Sequence, residues 1–399
     1  MNLKEKAGYF MKSGQNAYLK NMIGWRRYFH MNPELSNHEK NTSEVIAELL
    51  AGFGLEVKKG IGGYGVVGKI KTGRQGPGIA LRADMDALAL NDPKKVPYRS
   101  RVEGVTHACG HDGHMAILLG VAEALSEIHC ELKGELTFVF QPSEELLPGG
   151  AVRMIDEGCL EGVDSIYGFH LVNSMTVGQA ATTSGPMMAS SDFFDLTIHG
   201  KGGHGAVPEE SIDPVIIAAQ VLNQFQTIIS RQISPLEPAV LSIGSIHGGT
   251  ANNIIPDKVD LKGTFRCFNE TTAVRIKKQM NDILEGICKG YGSKFTLKFP
   301  EGFPLLSNSQ KQTALLLEAA RGVIAETDIL VQDRVMISED FGNYLRHVPG
   351  CYMFIGSRNP GSQEFYGNHH PKFDIDENAL EIGAQVLIRL VMENCSVGR

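Results

Sequence analysis

The stretch PGIALRADMD (residues 77–86), followed by MAILLGVAEALSEI (115–128) and LTFVFQP (136–142), decides the fold class. The first and last segments are short apolar runs, which predicts two buried strands. The middle segment repeats its apolar residues on one helical face, and Asp112 is placed to cap that helix. A strand, a helix and a strand in this order predict an α/β fold with a mostly parallel sheet and helices on both faces.

Residues 190–301 follow a different pattern. Apolar and polar residues alternate from Phe194 to His199, which predicts a half-exposed strand, and Asp213 with Pro214 opens a helix as cap and first-turn proline. The strands AVLSIGSI and KVDLKGTFRCF, a second helix and the strand KFTLKF follow. The order β-α-β-β-α-β predicts a small α+β, ferredoxin-like sandwich.

Helix and strand signals of the first kind resume after residue 301 and end in a helix predicted at 376–393. A chain of 399 residues also exceeds the roughly 250–300 residues at which single cores stop growing. We therefore expect a discontinuous α/β domain, residues 1–189 and 302–399, interrupted by an inserted domain at 190–301.

The composition excludes several classes of protein. A net charge of −7 argues against a nucleic-acid partner, and no apolar run approaches the roughly 18 residues of a membrane span. The N-terminus MNLKEKAGYFMKSG lacks the apolar core of a signal peptide, and seven scattered cysteines do not make a disulfide framework. These features predict a reduced, cytoplasmic protein of enzyme size.

HACGHDGH (107–114) is the strongest local motif. Cys109 and His111 are two residues apart, so in an extended segment both side chains would face the same way. Thiolate and imidazole bind zinc-like ions, and Asp112 and His114 could orient such ligands through hydrogen bonds. A Cys-x-His pair alone is weak, because chance or burial in a core explains most such pairs.

Further candidates follow predicted strands. In FQPSEE, Glu144 and Glu145 come just after a strand; one carboxylate could bind metal while the other faces a substrate, although a solvated surface pair is commoner. His170 in GFHL and the aspartates of RADMDA are placed similarly, where sites of α/β proteins gather. GNHHPKFDIDE adds His369 and His370, either of which could instead be a buried structural histidine.

The inserted segment carries polar candidates of its own. GKGGHGAVP contains His204 and matches neither a Walker motif nor a dinucleotide fingerprint. Arg266 lies on the polar face of its predicted strand, either as a solvated residue or as a clamp for a carboxylate. Asn253 is thirteen residues away, on an element that could converge with Arg266 on one anion.

Taken together, RADMDA, HACGHDGH, QPSEE, GFH, GKGGHGAVP, NNIIP, SEDF and HHPKFD resemble the di-metal amidohydrolases that include hippurate hydrolase, N-acyl-amino-acid deacylases and auxin-conjugate hydrolases. The resemblance implies a catalytic α/β domain with an inserted lid that often mediates dimerisation. It also implies five metal ligands: Cys109, His111, Glu145, His170 and His369. His369 is preferred to His370 because the family pattern is His-x-Pro.

The same resemblance assigns roles around the metals. Glu144 matches the general base, and His204 matches a lid histidine that stabilises the oxyanion, sometimes from the partner subunit. Asn253 and Arg266 match lid residues that hold the carboxylate of the substrate. Glu209 departs from the pattern, because relatives usually have histidine after the lid proline.

The predicted function is hydrolysis of N-acyl amino acids, of the N-acetyl or N-aroyl type, by water activated on two divalent ions. Zinc or manganese is expected, with cobalt or nickel as alternatives. A carboxypeptidase or dipeptidase would use the same chemistry. A cysteine hydrolase with Cys109 as nucleophile and a non-catalytic binding protein are also compatible with these motifs. The expected partner is a small molecule, with a homodimer or higher homo-oligomer formed through the inserted domain.

Overall fold

The computed structural model describes residues 15–362 and 364–397. The segment MNLKEKAGYFMKSG, on which the prediction of no signal peptide rests, lies outside them. Two compact units divide the chain. Unit 1 comprises the described residues up to Met187, Ser307–Asp333 and those from Asp340 onward, and unit 2 comprises Met188–Leu306 and Arg334–Glu339.

The helices are α1 (Gln15–Met31), α2 (Lys40–Gly52), α3 (His111–Glu127), α4 (Ala151–Asp156), α5 (Pro214–Thr227), α6 (Glu270–Tyr291), α7 (Gln310–Arg321), α8 (Gly342–Leu345) and α9 (Asn378–Cys395). Of the helices that the structure describes, none is long and apolar enough to cross a membrane. The strands are β1 (Glu56–Ile61), β2 (Gly65–Lys71), β3 (Gly78–Asp84), β4 (Glu135–Gln141), β5 (Ser165–Thr176), β6 (Ala180–Thr182), β7 (Gly185–Met188), β8 (Asp192–His199), β9 (Gly203–His204), β10 (Ala239–His247), β11 (Ile254–Ile255), β12 (Lys258–Cys267), β13 (Lys294–Lys298), β14 (Leu306–Asn308), β15 (Ile329–Val331) and β16 (Gly350–Arg358).

Unit 1 contains an eight-stranded sheet in the order β1-β2-β4-β3-β5-β16-β6-β15. The four central strands β4, β3, β5 and β16 run parallel, and the antiparallel pairs lie toward the edges. Every residue of β3 is buried, because a parallel sheet is covered on both faces. The predicted α/β fold with a mostly parallel sheet is confirmed.

The two faces of β3 contact different helices. Leu81 belongs to the main hydrophobic core together with Ile117 of α3 and Leu387 of α9. The next residue, Arg82, points to the other face, where its guanidinium donates to Gln141, which also accepts from the Tyr344 hydroxyl of α8. Alternation along one strand therefore separates an apolar layer from a buried polar one.

Unit 2 contains an antiparallel sheet in the order β10-β12-β8-β13, with α5 and α6 packed on one face. The elements follow the predicted order β-α-β-β-α-β. Asp213 caps α5 by accepting from Val215 N at 2.8 Å, as expected. The predicted cap of α3 is wrong: Gly110 is its N-cap, and the Asp112 carboxylate accepts from Arg26 and His30 instead.

The register of unit 1 places the ends of β3 and β4 level with His170 in β5. Asp84 of β3 lies beside Gln141 of β4, and Arg82 lies beside Gly168 of β5, so His170 is level with Asp84. His170 was expected at the end of its strand, but β5 continues to Thr176 because it pairs further with β16. The carboxyl ends of β3 and β4 nevertheless lie next to His170, so His170 is close to the loops that follow these two strands.

Candidate metal centre

Unit 1 brings the five predicted ligand side chains together. Cys109 Sγ lies 3.4 Å from His170 Nε2, and His369 Nε2 lies 3.2 Å from Glu145 Oε1. His111 Nε2 is 3.9 Å from the same glutamate oxygen. Two sets, Cys109 with His111 and His170 and Cys109 with Glu145 and His369, each have ligand atoms within 4.8 Å of one another. Cys109 belongs to both sets, so the two sets lie side by side.

The loop before α3 places Cys109 and His111 differently from the prediction. An extended segment was expected, but Gly110 has φ 97° and His111 begins the helix. Glycine adopts this left-handed conformation without the steric penalty of a side chain. The two ligands therefore converge through a sharp turn at Gly110 rather than through strand alternation.

Two buried atoms of the predicted ligands have no hydrogen-bond partner among the described residues: His111 Nε2 and Glu145 Oε1. The other ring nitrogen of His111, Nδ1, lies 2.8 Å from the Asp86 carbonyl and donates to it, which leaves Nε2 as a lone-pair donor. Unpaired buried polar atoms are costly and rare in proteins. Ligation of a divalent cation explains both, so these residues fit a metal pair.

The pKa values at the centre reflect burial and an excess of negative charge. Burial, followed by the negative charges of Glu145 and Glu144, raises the pKa of the Cys109 thiol well above its usual value. Burial, with the neighbouring His114, lowers the pKa of His170. Burial also disfavours the charged form of His111, but Asp84 and Asp86 outweigh it and raise the pKa of this histidine to about 10. A cluster of carboxylates around a thiol is electrostatically suited to a cation.

His114 supports the centre and does not ligate. Its Nδ1 donates to Asp84 Oδ1 at 2.6 Å, and its Nε2 accepts from Leu171 N at 2.9 Å, so both ring nitrogens are used. Arg82 Nη1 donates to the other oxygen of Asp84 at 2.7 Å. Asp84 thereby fixes the tautomer of a histidine that stacks edge-on against His170. Asp112 was predicted to act similarly, but it bonds to Arg26 and His30 behind α3.

Glu144 is 8% exposed. One of its carboxylate oxygens lies within 4.8 Å of potential ligand atoms of His111 and Glu145. The backbone N–H of Glu145 donates to Asp86 Oδ2 at 2.9 Å. Ser143 just before the pair has φ 56°, an uncommon conformation for a residue other than glycine. The two glutamates thus follow a sharp turn at the end of β4, and the alternative of a solvated surface pair does not fit their burial.

His369 enters from the C-terminal part of unit 1. Its φ is 67°, its backbone N–H donates to Ala108 O at 2.7 Å, and Asn368 Nδ2 donates to Cys109 O at 2.9 Å. The neighbouring His370 instead stacks on Tyr366, with ring centroids 4.6 Å apart. Backbone bonds to the cysteine loop therefore hold the His369 loop at the centre.

Arg26 forms ion pairs next to both the cysteine loop and the His369 loop. No sequence motif points to this role. Arg26 is 1% exposed and pairs with Asp112 at 2.9 Å, next to the predicted ligand His111, and with Asp374, just beyond the His369 loop. Burial lowers the pKa of this guanidinium, but Asp112 and Asp374 outweigh it and raise the pKa above its usual range. The adjacent arginines in GWRRYFH, upstream of every recognised motif, are the one signal in the sequence that could have indicated it.

Unit 2 places His204 and Asn253 next to each other. His204 of β9 pairs with Ile254 of β11, and Gly205 N donates to Asn253 O at 2.9 Å. Both side chains are exposed. His204 Nδ1 accepts from Ala206 N at 3.0 Å, so its Nε2 carries the proton and is a ready hydrogen-bond donor.

Arg266 lies at the other end of the unit 2 sheet. β12 begins at Lys258, soon after β11, and Arg266 is eight residues further along β12. At about 3.3 Å per residue, Arg266 lies roughly 26 Å from Lys258. Within one chain Asn253 and Arg266 do not converge as their sequence spacing led us to expect, because most of the extended strand β12 separates them. Arg266 Nη1 donates to Met336 O at 2.9 Å and to Ser338 Oγ at 3.2 Å, and no carboxylate pairs with it in the described part of unit 2.

This cluster of thiol, imidazole and carboxylate ligands beside a buried glutamate defines a hydrolase of C–N bonds. The chain belongs to peptidase family M20/M25/M40, whose model matches residues 80–393. It is 42% identical to thermostable carboxypeptidase 2 of Saccharolobus solfataricus, over 91% of this chain and 92% of that one. It is 38% identical to the N-acetyl-L-cysteine deacetylase of Bacillus subtilis, over 90% and 85% of the two chains.

A solved structure supports the fold. The YxeP protein of Bacillus subtilis, described as a dinuclear metal-binding peptidase of the M20 family, superposes with a TM-score of 0.83. It is 33% identical and covers 95% of this chain and 98% of its own. The resemblance inferred from the motifs is therefore confirmed at the level of family and fold.

Proposed function

We propose that this chain hydrolyses the amide bond of N-acyl amino acids, of the N-acetyl or N-aroyl type, to a carboxylic acid and a free amino acid. The observation that carries the proposal is the buried Glu144 beside two ligand sets that share Cys109. The similarity to an N-acetyl-L-cysteine deacetylase supports the substrate class. Zinc or manganese suits the mixture of sulfur, nitrogen and oxygen ligands, with cobalt or nickel as alternatives.

Cys109, His111, Glu145, His170 and His369 would hold the two ions. When bound, such ions lower the pKa of a water from 15.7 toward roughly 7 and polarise the amide carbonyl. Glu144 takes the proton of the attacking water and then passes it to the nitrogen of the departing amino acid. His204 Nε2–H donates to the oxyanion that forms on the substrate carbon. The products are a carboxylate and an amine, so one water is consumed per amide.

Arg266 and Asn253 would select a substrate that carries a free carboxylate on its amine side. The half-buried Arg266 guanidinium lacks a carboxylate partner in the described part of unit 2, and burial lowers its pKa, which marks it as an uncompensated charge. Arginine matches a carboxylate with two parallel hydrogen bonds. This argues against the alternative of a solvated arginine.

One anion cannot reach Arg266 and Asn253 of the same unit 2 across roughly 26 Å of strand. We infer that a second copy of the chain supplies His204 and Asn253 to each site, while Arg266 comes from the copy that carries the metal ligands. The proposed homodimer through unit 2 is then required for catalysis. Closure of unit 2 as a lid would bring these groups to the amide and exclude water.

The second candidate is a carboxypeptidase or dipeptidase, which the similarity to thermostable carboxypeptidase 2 favours. Its substrate also ends in a free carboxylate, so the two candidates differ in the group on the acyl side. The test is a release assay with N-acetyl and N-benzoyl amino acids against dipeptides of the same C-terminal residue, each with manganese, zinc or cobalt. Higher kcat/KM on the dipeptides would replace the proposal with the peptidase.

A further inference from the structure

Glu39 lies directly behind the turn that carries the two glutamates, and it belongs to none of the recognised motifs. Its side chain is fully buried at the start of α2. Oε1 accepts from Ser143 N at 2.7 Å and from Ser143 Oγ at 3.3 Å. A buried acid therefore binds the residue immediately before Glu144.

Ser143 is held through every polar group that it has. Besides its bonds to Glu39, its Oγ accepts from Asn37 N at 2.8 Å, and its carbonyl accepts from Gly150 N at 3.0 Å. Its φ of 56° is left-handed, which is unfavourable for a residue with a Cβ atom. Such a conformation persists only where the surroundings over-determine it, and here those surroundings are Glu39, Asn37 and Gly150.

The turn is fixed at two points by two different acids. The Asp86 carboxylate accepts from Glu145 N, and the Asp86 backbone carbonyl accepts from His111 Nδ1, so this residue orients two predicted ligands. Glu39 instead fixes the residue on the other side of Glu144. The direction in which the Glu144 side chain leaves the backbone depends on both contacts.

Stability alone does not explain Glu39. Its second oxygen, Oε2, is buried and has no hydrogen-bond partner among the described residues. A buried carboxyl with an unpaired oxygen destabilises a fold compared with an apolar residue of similar shape. Residues that break this rule concentrate at functional sites.

We propose that Glu39 is a positioning residue that holds Ser143 in its left-handed conformation and so directs the Glu144 carboxylate at the attacking water. The proposal rests on the proposed function, in which Glu144 is the general base. Glu39 touches no metal ligand side chain that the structure describes, so its loss is expected to change the base and leave the ligands in place.

The first test compares Glu39→Ala with Glu39→Gln and with the control Glu34→Ala. Glu34 lies in the same segment, but its carboxylate caps α2 by accepting from Asn41 and Thr42. We expect Glu39→Ala to lower kcat by up to ~10²-fold, with KM and the content of two metals per chain unchanged. Glu39→Gln keeps an acceptor for Ser143 N–H and should retain most of kcat. Glu34→Ala should lower the melting temperature without this loss of kcat.

A second test uses the backbone itself. Glycine adopts positive φ without strain, so in a Ser143→Gly background the turn no longer depends on Glu39. Glu39→Ala should then lower kcat much less than it does in the wild-type background. Ser143→Ala provides a further route if Glu39→Ala folds poorly, because it removes the Oγ bonds while leaving Glu39 intact; we expect it to lower kcat at unchanged metal content.

Equal losses of kcat in the serine and glycine backgrounds would overturn the proposal, as would a loss explained by missing metal. Glu144→Gln distinguishes a failure of the positioning role of Glu39 from a failure of the general base in the proposed function. An inactive Glu144→Gln with a fully active Glu39→Ala refutes the positioning role alone. A fully active Glu144→Gln refutes the general base in the proposed function, and the role of Glu39 with it.

Discussion

His369 Nε2 lies 3.2 Å from Glu145 Oε1, although the histidine side chain is 56% exposed and the glutamate 11%. The exposed histidine thus completes a candidate ligand set with the buried Cys109 and the largely buried Glu145. Removing the His369 side chain should therefore weaken metal binding without leaving a cavity in the hydrophobic core.

We first predict that His369→Ala lowers the metal content below two ions per chain, with little change in the melting temperature of the metal-free protein. The neighbouring His370→Ala is the control, because His370 stacks on Tyr366. Cys109→Ser should also lower the content, since Cys109 belongs to both ligand sets. The measurement is elemental analysis after dialysis against a chelator; full occupancy in His369→Ala would contradict the assignment.

Second, Glu144→Gln should keep both metals and lose at least the ~10²–10⁴-fold in kcat that general acid–base catalysis contributes. Glu145→Gln should lose metal, because its Oε1 is buried without a hydrogen bond where the predicted ligands meet. The pair differs by one position, so each variant controls for the other. If metal loss followed Glu144→Gln instead, the two roles would have to be exchanged.

Third, Arg266→Ala should lower kcat/KM on an N-acyl amino acid by one to several factors of ten, because charge-assisted hydrogen bonds contribute roughly 1.5–3 kcal/mol each. The same variant should barely change the rate on the corresponding amide or methyl ester. Arg334→Ala is the control, since Arg334 stacks over Phe268. Equal rates of the wild type on acid and amide would refute the carboxylate clamp.

Fourth, mixing the two impaired variants Arg266→Ala and Asn253→Ala should raise the activity above that of either variant alone. If each site takes Arg266 from one copy and Asn253 from the other, a mixed dimer has one intact site and one doubly altered site. Random exchange of subunits then gives about a quarter of the wild-type rate. No recovery after confirmed subunit exchange would show that both residues act in the same chain or that one of them does not bind substrate.

Fifth, Arg26→Met should destabilise the protein by roughly 3–5 kcal/mol at pH 7, because it removes the guanidinium that pairs with the buried Asp112 carboxylate and leaves only the hydrogen bond from His30. Burial alone would raise the pKa of Asp112, but Arg26 and His30 hold it well below its usual range. The stabilisation from a lowered carboxyl pKa is present above the unfolded value of about 3.9 and disappears as the pH falls through the folded value. The difference between variant and wild type should therefore shrink below about pH 4.

Urea unfolding of the metal-free proteins at pH 7 and at low pH measures this difference. Arg27→Met is the matched control, because the side chain of Arg27 is 44% exposed and pairs with Glu377 near the surface. Surface changes of this kind usually stay within about ±0.5 kcal/mol. Equal destabilisation by both variants would contradict the stabilising role of the buried ion pairs of Arg26.

The sequence by itself determined the family, the order of elements and the candidate ligand residues. Apolar runs and their periods depend on burial, which acts locally on each strand and helix, so β3, β4 and the β-α-β-β-α-β order were predictable. HACGHDGH, QPSEE and HHPKFD could be recognised because metal ligands require particular side chains at short spacings.

Only the tertiary structure decided how those residues are held and which of them meet. The left-handed turns at Gly110 and Ser143, the bonds of Arg26 and the contact of Glu39 with Ser143 join segments that are far apart in the chain. Asn253 and Arg266 show the converse, because thirteen residues of sequence include most of the extended strand β12, which carries them apart. Sequence spacing limits how far two residues can be separated, but the path of the backbone between them sets the actual distance.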